Sequence, residues 1–334
     1  MKVSIRKISE NTGFSPATVS NALNYKKGVN PETAEIIRKE AQKLGYQADA
    51  KIKKIRFVIF RRNGKIIDDS PFHPSVIEGV ERQAKSMGYE TVFCHLNLEK
   101  ESFREEVEEI LSDKESGIVL LGTEMLEEDL EIFEKDKKRI ILLDGWSDLH
   151  FFNSVLISNT DSAVSAVNYL VEKGHRRIGY LGGDFRIQAF RYREIGYRRA
   201  LEAHSIDYDE SLCLRVGCSL EMAYADMLEY LHTKPQLPTA FFADNDIIAI
   251  GAMRALKEEG YKIPEDISII GFDNISFGVL SNPALTTMHV YKQEMGETAV
   301  RELAFSIENE EAPRLKIQVC TKFVERDSVR DLNK

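Results

Sequence analysis

The chain has 334 residues, 43% of them hydrophobic and 30% charged, with a net charge of −9; that length exceeds one small domain and suits a head joined to a larger body. No apolar run approaches the roughly 18 residues of a membrane span and the N-terminus carries no signal peptide, so a soluble, cytoplasmic protein is expected, with no membrane partner. Four cysteines, at 94, 213, 218 and 320, form no Cys-x-x-Cys pair and have no flanking His at metal spacing, so neither a zinc site nor a disulfide framework is supported and most should be buried thiols.

In chain order, Ser4 is a good N-cap for a first helix that turns Ile5 and Ile8 inward, and Gly13 lets the chain leave it through a left-handed residue. Ser15 caps a second helix opening on Pro16, where a missing N–H costs nothing; Val19 and Leu23 share one face, and Ala17, Thr18 and Asn21 point outward. Asn30 and Pro31 repeat the start signal, and Ala34, Ile37, Ala41 and Leu44 recur at helical spacing until Gly45. The pattern over residues 1–46 is a helix-turn-helix with a bracing third helix, and the second helix has the dimensions of a major-groove reader. Residues 1–56 hold 12 Lys/Arg and 5 Asp/Glu, a net of +7, so residues 57–334 carry −16. A basic head on an acidic body is the electrostatic footprint of DNA binding. A solvated bundle used as a scaffold is the competing reading; caps, turn length and charge all disfavour it.

The run Ser15-Pro16-Ala17-Thr18-Val19-Ser20-Asn21-Ala22-Leu23-Asn24, with Val29 to Glu32 and Lys43-Leu44-Gly45-Tyr46, resembles the N-terminal domain of the lactose-repressor/galactose-repressor (LacI/GalR) family. The resemblance implies that Pro16, Ala17 and Asn21 read base edges. Asn21 can bond an adenine edge twice, whereas Pro16 and Ala17 offer apolar contact such as to a thymine methyl. Thr18, Ser20, Asn24 and Tyr25 are better placed for phosphates, next to the capping Ser15. Residues 47–56 read as a short basic linker whose Lys51, Lys53 and Lys54 should work on phosphates. Family members have a Pro-Asn pair here, followed by a hinge helix that wedges leucines into the minor groove. This chain has Ala48-Asp49 instead, and only Ile52 or Ile55 could act as a wedge.

From Phe57 onward, short apolar runs alternate with amphipathic helices: 57–60, 91–94, 118–121 and 140–143, with helices starting near Ser75, Glu101 and Glu127. A second series has runs at 178–181, 240–243 and 267–270, with helices over 161–173, 193–204, 220–233 and 246–259. Two α/β sets of this kind predict two doubly wound parallel sheets, as lobes facing a cleft. Ligands bind beyond the carboxyl ends of such strands. The polar residues there are Asp144, Asn159, Asp244-Asn245-Asp246 and Asp273, with Arg193 at a helix start. Converging, they would suit a hydroxyl-rich metabolite; singly, each also reads as a cap or strand-end turn residue. Phe72 and His73, in a loop after the first strand, and Trp146 could pack on a sugar ring or be ordinary core. Arg186, Arg191 and Arg193 could favour an acidic ligand, although the first two read more simply as solvated charge.

Asn159, Gly174 to Ile178, Arg193-x-x-Gly196-Tyr197, Asn245-Asp246, Pro264 to Asp273 and Pro283 to Thr287 resemble the effector domain of the same family, so the likeness spans about 4–330. It implies a two-lobed, periplasmic-binding-protein-like body in which Asp144, Arg193, Asn245 and Asp273 contact the effector. Ser158, Ser162 and Asn274 depart from common family residues. The chain should cross between lobes three times, the first lobe taking 57–157 and 287–317 and the second 158–286 and 318–330. The function implied is a repressor, with no cofactor and no enzymatic activity, that binds a palindromic duplex operator as a homodimer. It would be controlled by a small effector, a carbohydrate by its site, with a protein corepressor as a further partner some relatives use. A Rossmann enzyme would need a glycine-rich turn where Arg61-Arg62-Asn63-Gly64 has one glycine. A metabolite-binding protein without DNA function would lack the basic head.

Overall fold

The computed structural model describes residues 4–23, 29–44, 52–68, 71–309 and 311–334. In the head, α1 (Ile5–Thr12) starts at Ser4, whose Oγ accepts from Lys7 N at 3.3 Å, and ends at Gly13, φ 74°, whose N–H reaches Ser9 O. A positive φ of this kind is open to glycine and strained for most other residues. Ser15 Oγ accepts from Thr18 N (3.1 Å) to cap α2 (Pro16–Leu23), and Asn30 Oδ1 accepts from Glu32 N (2.9 Å) ahead of α3 (Pro31–Leu44). Ile8, Val19, Ala22, Ala34, Ile37 and Ala41 form a core between the three helices. Gly45, the expected stop of α3, lies outside the described residues.

The body contains two six-stranded sheets. The first is built from β1 (Lys54–Arg61), β2 (Glu90–Asn97), β3 (Ser116–Leu121), β4 (Ile140–Leu143), β5 (Asn153–Ile157) and β11 (Lys316–Val319), ordered β11-β5-β4-β3-β1-β2 and parallel throughout. The second uses β6 (Ile178–Gly183), β7 (Cys213–Val216), β8 (Ala240–Ala243), β9 (Ser268–Asp273), β10 (Thr286–His289) and β12 (Lys322–Val324), ordered β12-β10-β9-β8-β6-β7, with only β12 antiparallel. Helices α4 (Phe72–Ser86), α5 (Phe103–Ser112) and α11 (Lys292–Glu308) pack with the first sheet, as does a 3₁₀ segment, Glu127–Arg139. Around the second lie α6 (Asn159–Glu172), α7 (Gln188–Ala203), α8 (Leu220–His232), α9 (Asp246–Glu258) and α10 (Ser276–Leu280). Apolar runs such as Ile118 to Leu121 are buried because helices cover both faces of a parallel sheet. α4 and α11 pack so closely that a Cβ on Gly79 would strike Gln293 O, and one on Gly296 would strike Val76 O.

Several expectations are corrected. β1 begins at Lys54, inside the stretch read as linker, and Ile52 and Ile55 are buried in the first lobe's core, so neither can serve as a minor-groove wedge. α4 begins at Phe72 and not near Ser75. Pro74 falls in its first turn, where a missing N–H breaks no helical bond, so the proline does not delay the helix. α7 begins at Gln188, which places Arg193 inside the helix and not at its start. β10 belongs to the second sheet, so the second crossing falls after His289 and not at 287, while β11 carries the first sheet to Val319. β10 is too polar to announce itself as a buried strand; its hydroxyls are satisfied by Thr287 Oγ1 donating to Asp246 (2.6 Å) and Thr286 Oγ1 accepting from Arg326 N (3.0 Å). Of the cysteines only Cys218 is buried; Cys94 and Cys213 are half-buried and Cys320 is exposed.

Candidate functional site

The carboxyl ends of β4, β8 and β9 deliver Asp144, Asn245 and Asp273 to one small cavity between the lobes. Asp144 and Asp273 sit at φ 53° and 103°, left-handed backbone that L-residues adopt at a cost of about 1–3 kcal/mol and that clusters at functional sites. Arg193, 3% exposed, enters from α7 and spreads its fork. Nε donates to Asn159 Oδ1 (2.9 Å), Nη1 to Asp244 O (2.5 Å), and Nη2 lies 3.4 Å from Asp273 Oδ1, with the guanidinium 3.7 Å above the Phe272 ring. Asp144 Oδ2 accepts from Thr123 Oγ1 (2.7 Å), while its buried Oδ1 has no hydrogen-bond partner among the described residues. Burial pushes the Asp144 carboxyl up to about 6, and raises that of Asp273 against the pull of Arg193.

Of the eight side chains expected in the cleft, Phe72, His73, Asp144, Arg193, Asn245 and Asp273 line this cavity. Asn159 stands behind it, holding Arg193, and faces a separate cavity of about 150 Å³ that Trp146 lines with Tyr192. Trp146 meets the Tyr192 ring edge-on at 4.8 Å and is therefore a neighbour of the cleft and not part of its wall. Asn245 also fulfils its plainer reading, because its Oδ1 caps α9 by accepting from Ile248 N (2.9 Å). Asp244 and Asp246 are wholly buried and structural. Asp244 accepts from Tyr180, Gly183 N and Arg186, and Asp246 from Thr287 and Ile275 N. Arg186 is neither solvated nor turned to a ligand, since it is also paired with Glu194.

Sequence reasoning missed Thr123 and the apolar wall of Ile66 and Ile187, which Phe190 completes, and above all it missed Glu124 nearby. Glu124, fully buried, accepts five backbone N–H bonds: Arg62, Asn63 and Gly64 on Oε2, Ile66 and Ile67 on Oε1. This holds the loop after β1 so that Ile66 packs into the second lobe's apolar cluster and Lys65 Nζ reaches Asp184 at 2.6 Å across the cleft. An acidic residue after a strand carries no local signal of this role. The central cavity is about 20 Å³, close to the space of a single water.

On the head, Ser15, Pro16 and Ala17 are exposed and Thr18, Ser20 and Asn21 half-buried along α2, with Ser15 Oγ and Thr18 Oγ1 2.8 Å apart. Asn24, Tyr25 and Lys51 lie outside the described residues. Lys53 and Lys54 belong to the body and not to a separate linker: Lys53 Nζ pairs with Glu115 at 2.7 Å on the surface, and Lys54 opens β1. Among the described residues no group of His, Cys, Asp or Glu could hold a metal ion, and no helix is long and apolar enough to cross a membrane.

Residues 167–329 match the periplasmic binding protein-like domain family. The HTH-type transcriptional repressor PurR of Yersinia enterocolitica is 30% identical over 333 residues, 98% of this chain and 97% of the relative. The repressor of the same name from Vibrio atlanticus is 29% identical over 335 residues, 98% of this chain and 99% of the relative. Among solved structures, a complex of the transcriptional regulator CelR with cellobiose aligns with a TM-score of 0.74 at 23% identity, over 98% of this chain and all of that one. A lac repressor dimer bound to operator and the anti-inducer ONPF aligns at 0.72 and 23%, over 99% of this chain and all of that one. At that identity the two structures speak for the fold.

Proposed function

The chain belongs to the LacI/GalR family of DNA-binding transcriptional regulators, and from there we propose that it is a repressor whose operator affinity is set by a neutral, hydroxyl-rich metabolite, a carbohydrate, held between the lobes. The observation that carries this is the convergence of Asp144, Asp273 and Arg193 in one buried cavity of a chain with a basic helix-turn-helix head. Two carboxylates beside a single guanidinium disfavour an anionic ligand, while the open Oδ1 of Asp144 asks for a donor. Phe72, Ile187 and Phe190 supply an apolar wall for a ring face. A cavity of about 20 Å³ admits no sugar, so entry requires the lobes to part around Ile66 and the Lys65–Asp184 pair. An effector acts by preferring one lobe arrangement, which in a two-fold dimer resets the spacing of two heads on two half-sites. Phe277, Val279 and Leu280 on α10, 48%, 56% and 80% exposed, are apolar surface that such a dimer could cover.

The test is selection from a random duplex library at near-physiological salt. Enrichment of a palindrome is expected; its absence with and without candidate sugars would favour a reader that needs a protein corepressor. Within the enriched site, Asn21→Ala should relax base preference at one position per half-site, by about 1–3 kcal/mol for a bidentate contact. An unchanged preference profile would remove Asn21 from the readout.

The cleft also predicts a trade between stability and binding. Because the Asp144 carboxyl holds its proton up to about 6 in the folded protein, the native state binds more protons than the unfolded chain between about 4 and 6, and this group's contribution to stability falls as pH rises through that window. Asp144→Asn keeps an acceptor for Thr123 and removes the buried charge. At pH 7.5 the variant should therefore be more stable by on the order of 2 kcal/mol, and the gain should vanish near pH 4. Urea unfolding across that range reads it; a variant less stable at pH 7.5 would show that the charge is well accommodated.

A further inference from the structure

Residues just before four parallel strands of the first sheet surround a second cavity, at the edge opposite the cleft. Ile52 precedes β1, Lys114 precedes β3, Lys138 and Arg139 precede β4, and Arg314 precedes β11. Its volume is about 310 Å³, within the range of small-molecule sites, about 300–1,000 Å³. Ile52, Ile307 and Ala312 give it an apolar lining, while Lys114, Lys138, Arg139 and Arg314 supply the charge.

Two of these cations are already committed. Arg139 Nη1 donates to Asp113 O and Ser116 O, both at 2.7 Å, and its Nη2 to Leu111 O (3.0 Å) and Asp136 (3.1 Å). Lys114 Nζ donates to the same Asp136 oxygen at 2.9 Å. Asp136 is thus shared by two cations, and among the described residues neither Lys138 nor Arg314 has an ion pair or hydrogen bond. Ser306 Oγ accepts from Asn153 Nδ2 (2.9 Å), which leaves its O–H as a donor at the wall. A cavity with this surplus of positive charge stands out on a body that carries −16. Ile52, at its wall, stands two residues before β1 and eight after Leu44, the last residue of α3 in the head.

We propose that this cavity is an anion site that takes a phosphate group, with Lys138 and Arg314 as its free charges and Arg139 as a fixed one, and that its occupation is linked to DNA binding through Ile52. A phosphate can reach it from the backbone of bound duplex or from a free phosphorylated metabolite, whose carbon skeleton would rest on Ile307 and Ala312. The site is independent of the interlobe cleft.

The decisive variant is Lys138→Ala combined with Arg314→Ala in the full-length chain, which spares the structural Arg139; Lys257→Ala with Lys262→Ala is the charge-matched control. If bound duplex supplies the phosphate, the variant should bind duplex DNA several-fold more weakly at about 0.1 M salt. Its slope of log K against log salt should be shallower by about 1–2, with the control unchanged. If the source is a free ester, millimolar glycerol 3-phosphate or inorganic phosphate should raise the melting temperature of the native protein above a sodium chloride control of equal ionic strength. The same anion should change operator affinity, and the variant should lose both responses. Salt slope, DNA affinity and anion response all equal to the native protein's would overturn the proposal, whatever the selection experiment says about the operator.

Discussion

Arg193→Ala should abolish effector response over a panel of neutral sugars while leaving operator binding intact. Among the described residues lining the cleft cavity Arg193 is the one arginine or lysine, and its guanidinium meets three partners at once, Asn159, the Asp244 carbonyl and Asp273. A lysine brings a point charge without the planar fork, so Arg193→Lys should not restore the response. Removing the fork also takes from the buried Asp273 carboxylate its ion-pair partner. Breaking a buried pair in this way costs about 3–5 kcal/mol, and the loss should shrink as pH falls because the stranded acid can take a proton. Operator binding and denaturant unfolding, measured side by side, separate the two effects. A variant that responds at the native ligand concentration would place the effector elsewhere.

The second large effect is expected at Glu124. Its two oxygens accept five backbone N–H groups of residues 62–67, and among the described residues no other acceptor is offered to them. Glu124→Ala should cost about 3–5 kcal/mol, since bonds to a charged acceptor are worth about 1.5–3 each and buried donors left without partners cost more than the bonds themselves. Glu124→Gln should be almost as damaging. Whichever way the amide turns, its NH₂ meets two or three N–H donors where an acceptor stood. Hydrogen exchange at residues 62–67 should accelerate in both variants while β1 stays protected, and Lys65 should lose its hold on Asp184. Unchanged exchange would mean that the loop is held by Ile66 in the second lobe's cluster and not by the carboxylate.

What could be read in the sequence and what could not divide along physical lines. Caps and breakers act locally, and Ser4, Gly13, Ser15, Pro16 and Asn30 mark the head helices because each meets a need within three or four residues. Apolar runs likewise report burial on both faces of a sheet. The polar residues after β4, β8 and β9 were legible as a set because topology sends strand ends to one place. Their individual tasks were not: whether Asp244, Asn245 or Asp246 turns inward to a structural partner or caps α9 depends on the direction each side chain takes. The helix placed near Ser75 begins three residues earlier, with Pro74 in its first turn. Lys53, Lys54, Ile52 and Ile55 look like a tether in composition, but their partners are far away in the chain, among them Glu115 just before β3 and the first lobe's core. Glu124 and β10 fail for the same reason, since the groups that satisfy them are far away in the chain.

The return of the chain to the first sheet has a consequence for how the molecule is made. β11 pairs with β5, yet five of the second sheet's six strands and α11 lie between the two in the chain. A ribosome adding about 5–20 residues per second would release β5 roughly 8–30 s before the strand that covers its edge, a delay set by roughly 160 intervening residues. During that interval the nascent first lobe exposes an unpaired edge and lacks α11, which packs on α4. The head, translated first and with its own small core, can fold long before the platform beneath it exists. Slowing translation late in the message should therefore favour aggregation of the first lobe, and a chaperone acting on this protein should find its binding surface along β5.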